Sequence, residues 1–179
     1  MAQATWVTLC LLPVLAVNSI SPGVLGTRLP FFLLTDLIGI ALYVGGFSFE
    51  AIADKQKSDW MAEKHAKLHD EGFLTRGLWS KSRHPNYFGE MTLWTGIATA
   101  AAGVMTTAPA LTEMGLSLGL GGKIAALAMA FVSPAFVTLL LTKVSGIPMS
   151  ETKYDKKFAK NEKYQEWKRN TPILFPKFW

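Results

Sequence analysis

Four apolar runs alternate with polar segments along this chain of 179 residues. The runs cover residues 5–20, 31–49, 88–108 and 124–142, and their apolar side chains are bunched rather than spaced at helical or strand intervals. A membrane-spanning helix needs ~17–25 predominantly apolar residues. The pattern predicts an all-α, polytopic integral membrane protein of about four transmembrane helices, with a polar loop and an amphipathic C-terminal tail.

Glycine and proline refine this picture. Gly39, Gly45 and Gly46 in the second run would allow a neighbouring helix to approach closely. Ser133-Pro134 predicts a kink in the last run, where Ser133 or a neighbouring helix could satisfy the freed carbonyl. The glycine-rich segment 115–122 is predicted to form a loop or a re-entrant turn.

The polar segment 50–87 begins with residues that we expect to continue the second helix out of the membrane. Glu50, Asp54 and Lys57 fall at i, i+4 and i+7, so they line one stripe of that helix. Such a stripe is typical either of a solvated helix end with a paired carboxylate and ammonium, or of a ligand contact.

The tail, residues 143–179, is basic and aromatic. This composition predicts a helix that lies at the membrane surface. Phe175, Phe178 and Trp179 at its end resemble interfacial anchors.

Composition narrows the classes of function. Half of the residues are hydrophobic, and we expect one membrane domain over residues 1–179. The single cysteine, Cys10, excludes an internal disulfide and a cysteine-based metal cluster. His65 and His69 have the spacing of a helical metal pair, but no acidic or cysteine ligand set accompanies them, and no metal site is predicted.

The net charge of +5 is concentrated in two places: seven Lys and Arg residues lie in 50–87 and nine in 143–179. These residues border apolar runs, and no nucleic-acid motif accompanies them, so we expect membrane lipids rather than nucleic acid as partners. Two apolar runs separate the loop from the tail. The positive-inside rule therefore places both on the cytosolic side, of the endoplasmic reticulum membrane if the source is eukaryotic.

The stretch 80–90, Ser-Lys-Ser-Arg-His-Pro-Asn-Tyr-Phe-Gly-Glu, stands where the polar loop turns into the third run. Pro85 suits the first turn of a helix, whose free N–H groups and dipole would attract an anion. Arg83 and His84 would add a fixed charge and a titratable donor. A loop whose basic residues meet lipid head groups is the alternative.

That alternative does not account for Asn86 and Glu90. These residues are four apart and share one helix face, with Tyr87 beside them. Glu90 would lie near the end of a membrane span, where an ionisable group is costly unless it has a partner or a task.

Residues 83–90 resemble the signature of the steroid 5-alpha-reductase-like membrane proteins, in particular their uncharacterised branch. A shorter Arg-His-Pro-x-Tyr version also occurs in isoprenylcysteine carboxyl methyltransferases, and Asn86 and Glu90 favour the reductases. The resemblance extends over residues 3–179 and includes Gly-Leu-Trp at 77–79 and Ser-Gly-Ile-Pro at 145–148. On this resemblance the chain corresponds to the C-terminal part of the family's fold.

The resemblance implies a cofactor, NADPH, and the residues that contact it. The pyrophosphate would lie at Arg83, His84 and the start of the helix, while carboxylates and Asn86 would orient the nicotinamide and ribose. The full set of implied cofactor-binding residues is Glu50, Asp54, Lys57, Arg83, His84, Asn86, Tyr87, Glu90, Glu151 and Tyr154.

The implied function is a membrane-embedded NADPH-dependent reductase of an activated C=C bond in a steroid-like or other lipid substrate. Two alternatives remain: an S-adenosylmethionine-dependent membrane methyltransferase and a non-catalytic membrane subunit. The second has a specific motive, because members of the reductase family carry further spans before this region, with their proton donor among them. We expect that a partner could supply such spans, and no catalytic residue is predicted in this chain.

Overall fold

A computed structural model describes residues 2–26 and 34–178. Within these ranges the chain is helical and has no β-strand, which confirms the predicted all-α class. The α-helices are α1 Ala2–Asn18, α2 Pro22–Gly26, α3 Leu34–His65, α4 Pro85–Met105, α5 Ala108–Glu113, α6 Leu120–Leu139, α7 Gly146–Phe158 and α8 Glu162–Asn170. A 3₁₀ helix, Gly77–Ser80, precedes α4, and a π-helical turn, Leu140–Val144, precedes α7.

Two helical stretches are long and apolar enough to cross a membrane, namely Leu34–His65 and Leu120–Phe158. The helix Gln3–Asn18 is apolar but shorter. The helices α1, α3, α4 and α6 overlap the four predicted apolar runs. Among the described residues, two stretches are candidate membrane spans by length and composition. Arg28 and the start of the second run lie outside the described residues.

The chain forms two compact units. Unit 1 comprises Met1–Val44 and Met91–Leu139, and unit 2 comprises Gly45–Glu90 and Leu140–Trp179. The core of unit 1 is built largely from small side chains, which let helices approach closely. One cluster of buried residues in this core consists of Ala16, Ala101, Ala102, Met105, Leu111, Ala126 and Ala130.

Glycines allow α3 and α4 to pack tightly. In unit 1, a Cβ added at Gly39 would lie 2.8 Å from the carbonyl oxygen of Gly96, so the two backbones are in contact there. In unit 2, a Cβ added at Gly89 would lie 2.7 Å from the carbonyl oxygen of Gly46. The predicted close approach is confirmed for Gly39 and Gly46 and is wrong for Gly45, which has open space around it.

Three local predictions need correction. The segment 115–122 is not wholly a loop, because α6 already begins at Leu120. The third run does not form one helix to residue 108: α4 ends at Met105, and Pro109 lies in the first turn of α5. Of the two partners expected for the freed carbonyl near Pro134, Ser133 is not used, because its hydroxyl is buried and has no hydrogen-bond partner among the described residues.

The predicted tail helix is two helices, α7 and α8. They are separated at Asn161, whose side chain accepts a hydrogen bond from the backbone N–H of Tyr164 at 3.0 Å and so caps α8. Tyr164 is buried, and its ring lies edge-on to Phe73 at a centroid distance of 5.2 Å. The tail aromatics thus pack within unit 2, whereas Phe175 and Phe178 are exposed and Trp179 lies outside the described residues.

Candidate active site

The loop that leads into α4 is fixed by the C-terminal segment of unit 2. The Ser82 hydroxyl is buried and donates to the carbonyl oxygen of Leu174 at 2.8 Å. The backbone N–H of Arg83 donates to the carbonyl oxygen of Pro172 at 2.9 Å, and that of His84 donates to Ser82 Oγ at 3.2 Å. These bonds hold the backbone of Arg83 and His84 in one conformation at the start of α4.

The Gly-Leu-Trp stretch docks on α3. Gly77 has a φ of 60°, a left-handed conformation that favours glycine, and it packs against the side chain of Gln56. Gln56 Oε1 accepts a hydrogen bond from the backbone N–H of Leu78 at 2.9 Å. The indole N–H of the buried Trp79 donates to the carbonyl oxygen of Ala53, also at 2.9 Å. Each residue of this short motif therefore has a structural task.

Gly146, at the start of α7, lets this helix begin close to the motif. A Cβ added at Gly146 would lie 2.7 Å from the carbonyl oxygen of Leu141 and 3.0 Å from Tyr87 Cε2. The Tyr87 ring stacks on the ring of His84, with centroids 5.3 Å apart and planes 1° from parallel. Gly146 thus lets α7 approach this stacked pair.

Glu151 on α7 is the centre of a cluster of charges. Its Oε1 accepts from His84 Nε2 at 3.0 Å, while its Oε2 pairs with Lys168 Nζ at 3.2 Å and with the guanidinium of Arg83. We call Arg83, His84 and Lys168 the donor cluster. The side chains of Arg83 and His84 are 12% and 6% exposed, so water screens these interactions little.

Asp155, one turn further along α7, extends the network. It pairs with Lys168 and accepts from the Tyr164 hydroxyl at 2.9 Å. Burial raises the pKa of Tyr164, and the bond to Asp155 raises it further, so this hydroxyl keeps its proton at physiological pH. Burial lowers the pKa of Lys168, but its bonds to Asp155 and Glu151 outweigh that effect and raise it, so Lys168 stays charged.

A cavity of unit 2 lies beside this network. Its volume is about 70 Å³, and the empty space is about 660 Å³ when space open to solvent is included. Aromatic rings and charged groups share its wall. The lining residues are Lys57, Trp60, Met61, Phe73, Leu74, Trp79, Arg83, His84, Asn86, Tyr87, Ser150, Glu151, Tyr154, Tyr164 and Trp167.

The structure brings most of the predicted cofactor residues to this cavity. Seven of the ten line it: Lys57, Arg83, His84, Asn86, Tyr87, Glu151 and Tyr154. The other three, Glu50, Asp54 and Glu90, do not line it. Their carboxyl groups lie near enough to one another in unit 2 to interact electrostatically.

Two residues of the predicted set have unexpected partners. Glu151 contacts Arg83 and His84, so a carboxylate of the chain itself stands at the predicted anion site. Lys57 lies over the ring of Trp79, 5.3 Å from its centroid. This cation–π contact replaces the Lys57–carboxylate pair that the stripe on α3 allowed, since no such pair is present in the described part of the chain.

Sequence reasoning missed the tryptophans and Lys168. Trp60, Trp79 and Trp167 all line the cavity, and the indole N–H of Trp167 donates to the carbonyl oxygen of Trp79 at 3.2 Å. Lys168 reaches Glu151 from α8. One signal was available: Glu151 and Asp155 are four apart on one helix face, where they can share a single cation.

The two histidines outside the motif, His65 and His69, do not lie on the same helix. Helix α3 ends at His65, so His69 lies beyond it and the two do not share a helix face. His69 stacks on Trp60, with centroids 5.3 Å apart, and its Nε2 donates to the carbonyl oxygen of Trp60 at 3.1 Å. His65 and His69 therefore do not form the pair on one helix face that their spacing allowed.

Comparison with known proteins gives one family. The model of DUF1295, described as a protein of unknown function, matches residues 1–121 and 114–171. Because these matches cover most of the chain, the chain belongs to this family, which includes steroid 5-alpha-reductase-like members. No curated protein and no solved structure is detectably similar to the chain.

Proposed function

We propose that this member of the DUF1295 family is a membrane-embedded NADPH-dependent reductase of an activated C=C bond in a steroid-like or other lipid substrate. The observation that carries the proposal is the cavity of unit 2, whose wall combines the motif residues Arg83, His84, Asn86 and Tyr87 with aromatic rings. Phosphates need charged donors, and flat heterocycles need aromatic or apolar walls.

The residues present suit the chemistry of a nicotinamide nucleotide. Arg83 Nε is a buried donor without a hydrogen-bond partner among the described residues, and a phosphate oxygen is a suitable acceptor for it. The rings of Trp60 and Trp79 contribute aromatic surface to the wall of the cavity. A cavity volume of about 70 Å³ is too small for the whole cofactor, so a dinucleotide would extend into the space open to solvent.

Division of labour follows from these contacts. NADPH, when bound, would supply the hydride, and that chemistry belongs to the cofactor. Arg83 and His84 would hold phosphate oxygens, and Asn86 and Tyr87, on the first turn of α4, would orient the groups beside them. Glu50, Asp54 and Glu90 do not line the cavity, so the ribose contacts expected of them are not part of this proposal.

We further propose that α1, α3, α4 and α6 all cross the membrane, with the loop 50–87 and the tail on the cytosolic side. The candidate spans Leu34–His65 and Leu120–Phe158 support this arrangement. Helix α4 has 21 residues, which at 1.5 Å per residue is about the ~30 Å thickness of the hydrocarbon core. The cavity residues would then face the compartment that contains NADPH, and a lipid substrate would enter from the bilayer.

Binding of NADPH to the detergent-purified chain tests the proposal. We expect Arg83→Ala to weaken binding by about tenfold or more, because a charge-assisted bond to a phosphate contributes ~1.5–3 kcal/mol. The control is Lys160→Ala, which removes an exposed charge beyond the end of α7. Titration calorimetry measures both, and circular dichroism checks that each variant is folded.

Turnover is tested separately by NADPH oxidation in the presence of enone lipids. No NADPH binding, or equal loss of binding in the two variants, would count against a defined nucleotide site. Arg83→Lys adds a further comparison: it keeps the charge but loses the planar fork of donors, so partial recovery is expected.

Methyl transfer from S-adenosylmethionine is the second candidate, and a specific observation favours it. Glu50, Asp54 and Glu90 bring three carboxyl groups near one another in unit 2, and carboxyl oxygens are suitable neighbours for a cationic sulfonium. Its single nucleoside also needs less room than a dinucleotide. Titration of S-adenosylmethionine beside NADPH separates the two functions, and binding of S-adenosylmethionine alone would replace the reductase proposal.

A further inference from the structure

The donor cluster already binds an anion, the carboxylate of Glu151. Arg83 and Lys168 pair with one carboxylate oxygen and His84 donates to the other, so both oxygens are in use. The side chain of Glu151 is only 18% exposed. A ligand phosphate cannot take the same donors while this carboxylate stays in place, since two anions would repel each other across a weakly screened site.

The carboxylate does not use every donor that the cluster offers. Arg83 Nε is buried and has no hydrogen-bond partner within residues 2–26 and 34–178. A buried donor left without an acceptor destabilises the structure. A carboxylate has two oxygens, whereas a terminal phosphate has three strong acceptor oxygens and more charge. A phosphate is therefore a better match to this cluster than Glu151 is.

The cavity beside Glu151 offers space into which its side chain can rotate. Glu151 lines the same cavity as Arg83 and His84, so rotation of its side chain releases the donors without unfolding α7. Lys168 would keep its pairing with Asp155 through such a rotation. The cost of displacing Glu151 is then the loss of its bonds to the cluster, which the phosphate replaces.

We propose that Glu151 is a resident counterion that holds the donor cluster together in the absence of ligand and is displaced by the phosphate of an anionic ligand. The inference rests on the proposed function only for the identity of that ligand. Glu151 then sets the affinity of the site by competition. A residue that instead positions Arg83 and His84 for the ligand would have the opposite effect when altered.

The two roles predict opposite effects of one substitution on the affinity for an anion. Glu151→Gln keeps the shape of the side chain and removes its charge, so displacement becomes easier. Inorganic pyrophosphate, titrated by calorimetry, should bind this variant about tenfold or more tightly than the unaltered chain. Asp155→Asn is the matched control, since it removes the same charge one turn along α7, from a carboxylate that contacts neither Arg83 nor His84. Its effect should stay within about fivefold.

Thermal unfolding supplies a second readout. Without ligand, Glu151→Gln should unfold at a lower temperature than the unaltered chain, because the buried Arg83 loses its counterion. Pyrophosphate should restore that loss and should stabilise Asp155→Asn much less. Rescue by an added anion is expected only if the anion takes the place of the carboxylate.

Weaker or unchanged binding of pyrophosphate by Glu151→Gln would overturn the inference, as would equal tightening in both variants or no binding in any. NADPH, titrated against the same proteins, separates this inference from the proposed function. If pyrophosphate behaves as expected but none of the proteins binds NADPH, the reductase proposal fails and the counterion role stands. If NADPH binds and Glu151→Gln does not tighten pyrophosphate, the counterion role fails alone.

Discussion

Single side chains connect the motif of this chain to its surroundings, and Trp79 shows how. Its indole N–H donates to the carbonyl oxygen of Ala53 on α3, its own carbonyl oxygen accepts from Trp167, and its ring lies under Lys57. One residue of the short Gly-Leu-Trp stretch thus links α3 with α8. Its ring also forms part of the cavity wall.

Trp79→Phe should therefore lower the free energy of unfolding by about 1–3 kcal/mol, because a buried hydrogen bond and part of the ring volume are lost. Trp6→Phe is the control, since Trp6 is 49% exposed. Chemical unfolding in detergent, followed by circular dichroism, measures both variants. A loss at Trp79 no larger than the loss at Trp6 would show that the indole does not hold the loop to α3.

At this scale the motif predicted part of the candidate site and could not predict the rest. Arg83, His84, Asn86 and Tyr87 are adjacent in sequence, so a helix start brings them together whatever the fold. Lys168 reaches Glu151 only because the chain reverses between α7 and α8 at Asn161. That reversal depends on tertiary packing, and the spacing of the charges along the chain does not encode it.

Among the helices, α3 and α4 show most directly how sequence determines packing. Gly39 lies where the two backbones meet, whereas Gly45 on the same helix has open space around it. A list of glycines predicts that close packing is possible but not which of them face the partner helix. Which glycines face α4 depends on how α3 is rotated about its own axis. The polar stripe of Glu50, Asp54 and Lys57 identifies the faces of α3 only from residue 50 onward, beyond Gly39 and Gly45.

The pair provides a matched test. Gly39→Ala should destabilise the chain by about 1–3 kcal/mol, because its Cβ would clash with a backbone carbonyl oxygen. Backbone cannot move aside by changing rotamer, as a side chain can. Gly45→Ala should be neutral or should stabilise by up to about 1 kcal/mol, since alanine restricts the unfolded chain and meets nothing here. Thermal unfolding in detergent compares them. Similar losses in both would mean that α3 does not pack on α4 through Gly39.

For the whole molecule, hydrophobic patterning predicted the helical class, whereas boundaries followed local chemistry. Pro109 begins a new helix where the third apolar run continues, and Leu120 already belongs to α6 within a glycine-rich stretch. Mean hydropathy is averaged over a window of many residues, so it does not locate a helix end that one or two residues determine. Averaged hydropathy also does not determine the number of membrane crossings, because α4 is helical throughout but is not among the two candidate spans found in the described residues.

Orientation of the loop and tail tests whether α4 crosses. Cysteines placed at His65 and Lys160, both exposed, should react with a membrane-impermeant maleimide from the cytosolic side if α4 and α6 both span the bilayer. Gly119→Cys, between α5 and α6, should react only from the other side, and its Cβ meets nothing within 4 Å. The background is Cys10→Ser, which removes the single, buried native cysteine. Sixteen of the eighteen Lys and Arg residues lie in the loop and tail, counted as seven and nine, so the charge bias strongly favours one side for both.

Labelling of His65→Cys and Lys160→Cys from opposite sides would mean that only one of α4 and α6 crosses. Lys168 would then lie across the bilayer from the motif, in conflict with its bond to Glu151 within unit 2.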